Sequence, residues 1–414
     1  MNQQKSQTLK GFRDFLPEDM YIRNYVKNTL TQLFETCGFQ PLETPALEYA
    51  ATLKGKYGAE TDTKLGYFFK DNGDREIGLR YDLTVPVSKV LAIYNNQISL
   101  PFRRYQIQPV WRAENTQKGR YREFIQCDVD TFGTNSPIAD AEIISIIYQG
   151  VKKLGFKNAA IKINSRQVLS SILDQSGVKN DQNLILQSLD KLDKIGKNGV
   201  KEELKSKGLT DPQIDQIFKY IKQAQPDENL KQVLNALKDF DIPQTAYIFD
   251  PTLVRGCDYY TSTIFEVQVP EANGSIGGGG RYDNLVATLG GPQIPAVGFS
   301  FGFERIVDVI KDLKLLSQTQ TNKTKVLVAN LGSETQPNIL RLISKLRDNN
   351  VSSVIYPDAD KLSKQIKYAL NLNIPYLAII GTDEAKQNKI TLKNLNTSEQ
   401  KSVNFEELIK ILKD

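Results

Sequence analysis

The 414-residue chain contains no histidine. That absence removes histidine general bases, histidine metal ligands and Ser-His-Asp triads from consideration. Tryptophan occurs once, methionine twice and cysteine three times. Cys37, Cys127 and Cys257 are scattered and odd in number, so they read as reduced thiols and not as a disulfide framework. They show no metal-ligand spacing, and no protein-held metal site is expected. Long apolar runs are also missing. The stretch at 376–380 is typical, and it is far too short to cross a membrane. No apolar signal core follows the first residues, so the expected location is cytoplasmic. Chemistry in this chain must therefore run on carboxylates, arginines, lysines, tyrosines, backbone amides or an oxygen-held metal.

What is present is the composition of a globular protein, with 40% hydrophobic and 24% charged residues. The length predicts two or three domains. Net charge is +5 with a pI near 8.7, which is compatible with a nucleic-acid partner without demanding one. Ile22, Val26, Leu30, Leu33 and Cys37 recur at helical spacing, predicting a helix over 17–37 that stops at Gly38. Residues 65–132 read as strands with turns, and 71–74 (DNGD) as a hairpin turn. A helix is expected at 138–154 and a short strand at 159–164. Residues 165–240 are rich in Lys, Gln, Asp and Leu and read as a helical insertion. Within it Asp211 is expected to cap a helix that has Pro212 at its first position. Strands and glycine turns resume from 241 to 314. A polar linker follows at 315–324, then an α/β domain at 325–414 with strands near 325–331, 351–356, 376–381 and 389–395. Residues 1–164 and 241–314 would thus form one interrupted sheet domain, and the fold class is α+β.

Five runs carry candidate chemistry. In VWRAENTQKGRYREF (110–124), Arg112 and Glu114 are two apart and would share one face of a strand before a basic glycine loop. An ordinary hairpin with a surface ion pair would read the same way. In LVRGCDYYT (253–261), Arg255 precedes a glycine that lets backbone approach a ligand, and Tyr259 and Tyr260 supply hydroxyls. The plain alternative is an aromatic strand with an Arg–Asp pair. GGGGRYD (277–283) is either a flexible turn or a backbone surface that meets a ligand. AVGFSFGFERI (296–306) reads as a strand running into a helix with Arg305 early on it, or as a glycine-eased helix start with a solvated Glu–Arg pair. In GLRYDLTVP (78–86), Asp82 and Thr84 would share a strand face suited to an ammonium group, or cap the helix starting near Pro86.

Together these runs resemble the class II aminoacyl-tRNA synthetases, specifically the histidyl-tRNA synthetase family, over essentially the whole chain. Pro45 stands where the first class motif has its proline, Arg112 and Glu114 match the second motif, and Arg305 the third. The runs at 253–260 and 278–283 look like the two histidine-specific signatures. The resemblance implies an antiparallel sheet flanked by helices, a helical insertion, a C-terminal anticodon-binding domain and a homodimer with Pro45 on its interface. It implies a bent ATP with Mg²⁺, Arg112 on the α-phosphate, Arg305 near the γ-phosphate, Arg120 at the β/γ region, Phe124 stacked on adenine and Glu114 reading adenine. The α-amino group of L-histidine would be held by Asp82, Thr84 and Gln126. Its ring would lie between Asp130 and Tyr260, with Tyr259 beside them, and Arg255 would bridge carboxylate and α-phosphate. The nucleic-acid partner implied is tRNA(His).

Asp82 and Asp130 depart from the family pattern, where glutamate is common, so backbone position must make up for a shorter side chain. Because the enzyme has no histidine, a rate change between about pH 5 and 8 is expected to follow the substrate's own imidazole. The rival reading is a non-catalytic histidine-binding regulatory paralogue of histidine biosynthesis. Such paralogues typically lack the C-terminal domain and the ATP-binding arginines.

Overall fold

The computed structural model describes residues 6–56, 64–117, 119–178, 182–255, 259–272, 274–316 and 323–413. Gly256, Cys257 and Asp258 of the LVRGCDYYT run lie outside the described residues, as do Lys118 and residues 317–322 of the expected linker. The chain divides into two compact units. One holds the residues up to Asp14 and Arg23–Leu313, and the other holds Phe15–Ile22 and the residues from Lys314 onward. Among the described residues no helix is long and apolar enough to cross a membrane.

The strands of the first unit are β1 (Gln40–Pro41), β2 (Leu47–Tyr49), β3 (Phe68–Lys70), β4 (Glu76–Leu79), β5 (Phe102–Trp111), β6 (Glu123–Phe132), β7 (Ala160–Ser165), β8 (Tyr247–Phe249), β9 (Thr263–Gln268), β10 (Ser275–Arg281) and β11 (Ala296–Gly302). Eight of them form one sheet in the order β1-β5-β6-β11-β10-β9-β7-β8. Neighbours from β5 to β7 pair antiparallel, as expected. The edge pairs β1–β5 and β7–β8 are parallel, so the sheet is mixed at its margins. Strands β2, β4 and β3 form a small separate sheet. Its β3–β4 hairpin closes on the DNGD turn, where Asp71 Oδ1 accepts from Gly73 N at 2.9 Å and Arg75 N at 3.0 Å.

The helix Pro17–Thr36 buries Val26, Leu30, Leu33 and Phe34. Phe34 packs its ring on Tyr105 and Phe301, which lie on the apolar face of the large sheet. The helix Pro137–Lys153 starts at Ser136, whose hydroxyl accepts from Ile138 N, with Pro137 in its first turn.

Between β7 and its parallel neighbour β8 run the helices Arg166–Gln175, Gln182–Leu189, Leu192–Ser206, Asp211–Gln223 and Glu228–Asp239. Ile214, Ile217, Phe218 and Ile221 make the buried stripe of the fourth, as their spacing predicts. Its cap is Thr210 and not Asp211: Gln213 reaches back to Thr210 N at 3.0 Å, and Asp211 is already helical. The first four of these helices cluster their apolar side chains with Leu253, Val254 and Ile264.

The second unit carries β12 (Val326–Val328), β13 (Ser353–Ile355), β14 (Tyr376–Ile379), β15 (Ile390–Asn394) and β16 (Gln400–Val403), in the order β13-β12-β14-β15-β16. The first three are parallel and the last pairings antiparallel. Strand β16 escaped the sequence reading, because GlnLysSer-type polarity at 400–402 leaves only Val403 buried.

Candidate active site

The register of the central strands sets side chains into rows. Arg104 on β5 faces Asp130 on β6, which faces Gly298 on β11 and then Gly280 on β10. The next row runs Gln106, Asp128, Ser300, Gly278 and Glu266, and a third pairs Gln108 with Gln126 and Gly302. Alternation puts these on one face and Tyr105, Cys127, Val129, Phe299 and Phe301 on the other. The second face is core. The first is polar, yet Arg104, Gln106, Asp128 and Asp130 are each at most 3% exposed.

Missing side chains make room on this face. A Cβ at Gly278 would stand 2.1 Å from Arg255 Nη1, and one at Gly298 would stand 1.7 Å from Asp130 Oδ1. The glycine run is therefore neither turn nor flexible loop. It is a buried strand over which Arg255 lies flat, paired to Glu266 at 2.9 Å. Tyr260 rests against Gly280, and its ring is 4.9 Å from that of Tyr259, which in turn meets Tyr282 edge-on at 5.9 Å.

Arg112 and Glu114 do not share a strand, contrary to expectation. β5 ends at Trp111: Arg112 N still donates across the hairpin to Arg122 O, but Arg122 N donates to Gly11 O and Ala113 N to Leu65 O, so the ladder is not continued. Arg112 is held instead by its own side chain. Nε donates to Tyr81 O at 3.1 Å, and the guanidinium carbon lies 4.3 Å from the Tyr81 ring and 5.1 Å from the Phe124 ring. Glu114 accepts from Tyr81 OH at 3.3 Å and sits 3.9 Å from Arg120. Arg305 is third on the helix Phe303–Asp312, donates to Ser275 O, and approaches Gly119 of the basic loop. Burial, then the charge of Arg120, holds its guanidinium below the usual arginine range.

Glu304 is not the solvated partner of Arg305. It is buried, takes both nitrogens of Arg23 at 2.7 and 2.9 Å, accepts from Ile125 N at 3.2 Å and pairs with Arg13. Burial pushes its carboxyl up, but these donors win and leave it below the usual range. It pins the helix of Arg305 to β6. Similarly, buried Arg80 donates to Pro109 O and to Thr44, fixing the segment that leads to Asp82.

Asp82 and Thr84 are not on a strand either. They open the helix Thr84–Tyr94, where Asp82 Oδ1 accepts from Val85 N at 3.0 Å and Pro86 is accommodated in the first turn. Asp82 is nonetheless near enough to the polar face for its charge to raise both the Asp128 and the Asp130 carboxyl. Gln126 Nε2 donates to Ser300 Oγ at 3.1 Å, while its buried Oε1 has no hydrogen-bond donor among the described residues. Asp130 Oδ1 accepts from Tyr282 OH at 2.5 Å, and Oδ2 lies 2.6 Å from Arg104 Nη2. That second contact is too poorly aligned to be a hydrogen bond. Burial pushes both carboxyls up, to about 7 for Asp128, with Arg104 the main opposing charge. Burial thus raises a carboxyl toward neutrality on this face, a perturbed group that the absence of histidine does not exclude.

The structure thus gathers Asp82, Gln126, Asp130, Tyr259, Tyr260 and Arg255 around the glycine-floored sheet, and sets Arg112, Glu114, Arg120, Phe124 and Arg305 around the hairpin loop at its end. The reading of single motifs missed Arg104, Asp128, Glu266, Tyr282 and Glu304. Polar residues at every second position of 104–108 and 126–130 were the available signal for the first two.

A family model for histidyl-tRNA synthetase matches residues 11–306, and one for an anticodon binding domain matches 325–414. The chain belongs to the histidyl-tRNA synthetase family. The histidine–tRNA ligase of Christiangramia forsetii is 39% identical, over 99% of this chain and 100% of the relative. That of Cytophaga hutchinsonii is 40% identical over 97% and 98%. The crystal structure of histidyl-tRNA synthetase from Nostoc sp. superposes with a TM-score of 0.85 at 29% identity, covering 99% of each chain. The synthetase fold and its C-terminal anticodon-binding domain are those the sequence reading anticipated.

Proposed function

We propose that this histidyl-tRNA synthetase activates L-histidine with ATP and transfers it to the 3′ end of tRNA(His). The observation that carries the reading is a pair of buried acceptors on the polar face of the sheet, Asp130 Oδ2 and Gln126 Oε1, left without aligned donors among the described residues. Buried polar atoms are rarely left so. An amino acid that brings N–H groups at two ends and a carboxylate between fills them.

In the first step the histidine carboxylate attacks the α-phosphorus of ATP. A P–O bond forms to the carboxylate and the bond to the β-phosphate oxygen breaks, releasing pyrophosphate. The carboxylate is already ionised, so no general base is needed. What is needed is to bring two anions together and stabilise the charge as it builds. Arg255 bridges carboxylate and α-phosphate, Arg112 holds the α-phosphate, and Arg120 and Arg305 take the distal phosphates. Phe124 stacks on adenine and Glu114 reads its amino group. Asp82, Thr84 and Gln126 hold the α-ammonium, and Asp130 and Tyr260, flanked by Tyr259, read the ring. In the second step a terminal ribose hydroxyl of the tRNA attacks the acyl carbon and AMP leaves.

Among the described residues no cluster of three or more acidic or thiol ligands is poised for a metal. The donor set, arginine-rich with Glu114 nearby, fits a Mg²⁺ ion held chiefly by the phosphates, where it shields their charge. The division into a sheet domain at 1–164 and 241–314, an insertion at 165–240, a linker at 315–324 and an anticodon-binding domain at 325–414 belongs to the same proposal. So do a cytoplasmic location and a homodimer with Pro45 on its interface. The regulatory-paralogue reading is not favoured, because Arg112, Arg255, Arg305 and the C-terminal domain are all present. Charging of tRNA(His) transcript with labelled histidine tests the whole proposal. Histidine-specific, ATP-dependent acylation is expected, and acylation with another amino acid would sink it.

A further inference from the structure

Histidine recognition by a carboxylate has a physical difficulty here. Asp82, Asp128 and Asp130 are all buried, at 4%, 2% and 3% exposure, and they act on one another. A crowded, buried carboxyl tends to take up a proton. Protonated Asp130 would offer an O–H where a neutral imidazole N–H needs an acceptor. A second requirement is direction: an aspartate reaches less far than a glutamate and must be aimed.

We propose that Arg104 is the positioning residue that keeps Asp130 an aimed anion, and so sets the selectivity for a ring bearing N–H. The inference rests on the function proposed above and goes beyond it, since Arg104 touches no substrate.

Arg104 is fully buried and sits directly opposite Asp130 in the β5–β6 ladder. It is the guanidinium acting on both Asp128 and Asp130. Its other named contact, Gln106 at 3.4 Å, is neutral. The groups facing Asp130 from the surrounding elements are Arg104 on β5, Asp128 on β6, Tyr282 after β10, Asp82 before the helix Thr84–Tyr94, and the bare Gly298 of β11. Of these, Arg104 alone carries positive charge. Its contact with Oδ2 is close at 2.6 Å but misaligned, so it neutralises that oxygen without consuming its lone pair. Tyr282 occupies Oδ1. The free direction on Oδ2 is left for the ligand.

The test is histidine-dependent ATP–pyrophosphate exchange by the full chain, comparing wild type, Arg104→Lys and Arg104→Met. Substrates are histidine, triazolylalanine (ring N–H retained, ring neutral throughout) and 2-thiazolylalanine (no ring N–H). In Arg104→Met, KM for histidine should rise about 10- to 100-fold, the worth of one hydrogen bond to a charged group. KM for ATP should hold, and preference for histidine over thiazolylalanine should fall by the same factor. Arg104→Lys should restore most of that preference. An unchanged preference in folded Arg104→Met overturns the proposal, as does a Lys variant no better than Met. Should the Met variant fail to fold, Arg104→Gln, which also removes the charge but keeps hydrogen-bonding groups, takes its place, and the same two outcomes decide. Wild type that exchanges with no amino acid would instead remove the underlying function.

Discussion

In the second unit Val326 and Val328 face one apolar cluster, and Leu327 and Ala329, one residue out of step, face another. In the first unit only one face of the large sheet is spent this way. The other carries Arg104, Gln106, Asp128, Asp130 and Gln126 over bare glycine. Burial of apolar surface stabilises a sheet whatever its exact geometry, whereas a buried polar face stabilises it only if each group is matched. The first sheet gives up stability on one side, and the proposed function gives that cost a purpose, with the unmatched acceptors there as the proposed ligand contacts.

That contrast can be broken deliberately. The largest effect should come from Arg255→Ala, which removes a guanidinium from the proposed reaction centre while leaving the apolar face untouched. Histidine-dependent exchange should fall about 10²–10³-fold in kcat with little change in melting temperature. Gly278→Ala is the smaller chemical change, but its methyl would collide with Arg255. A displacement of that size should cost roughly 10²-fold, read in the same exchange assay.

The second unit should answer in the opposite way. Leu346 is fully buried in its core, so Leu346→Ala should cost about 2–5 kcal/mol of that unit's stability by denaturant titration. Exchange with histidine should persist while tRNA charging declines. Exchange lost in parallel with charging would show that the two units do not divide the work.

The smallest effect concerns pH. The Asp128 carboxyl is pushed up to about 7 by burial, against the pull of Arg104. A carboxyl raised on folding contributes stability that is complete below its unfolded value and lost as pH rises through about 7. Asp128→Asn escapes that loss. Its melting temperature relative to wild type should rise by a few degrees between about pH 5 and about pH 8; a constant difference would contradict the assignment.

Much of this was legible in the residues. The amphipathic stripe at 22–37, the DNGD hairpin and the strand-to-helix passage at 296–306 are local patterns, and local periodicity reports them faithfully. The arginines at 112, 255 and 305 stood out because their runs are distinctive. What stayed hidden depends on partners far apart in sequence. Glu304 looked solvated because its partners, Arg23 and Arg13, lie 281 and 291 residues away. Asp82 looked like a strand residue because the alternation of 80, 82 and 84 continues into a helix start. The four glycines looked like a turn because nothing nearby in the sequence shows Arg255 lying over them.

The account stands most directly on ATP–pyrophosphate exchange measured separately with each of the twenty amino acids, in the presence of Mg²⁺. Exchange with histidine alone is predicted, since an amino acid whose side chain brings no N–H to Asp130 leaves that buried acceptor unmatched. No exchange with any amino acid, in protein that still binds histidine, would contradict it.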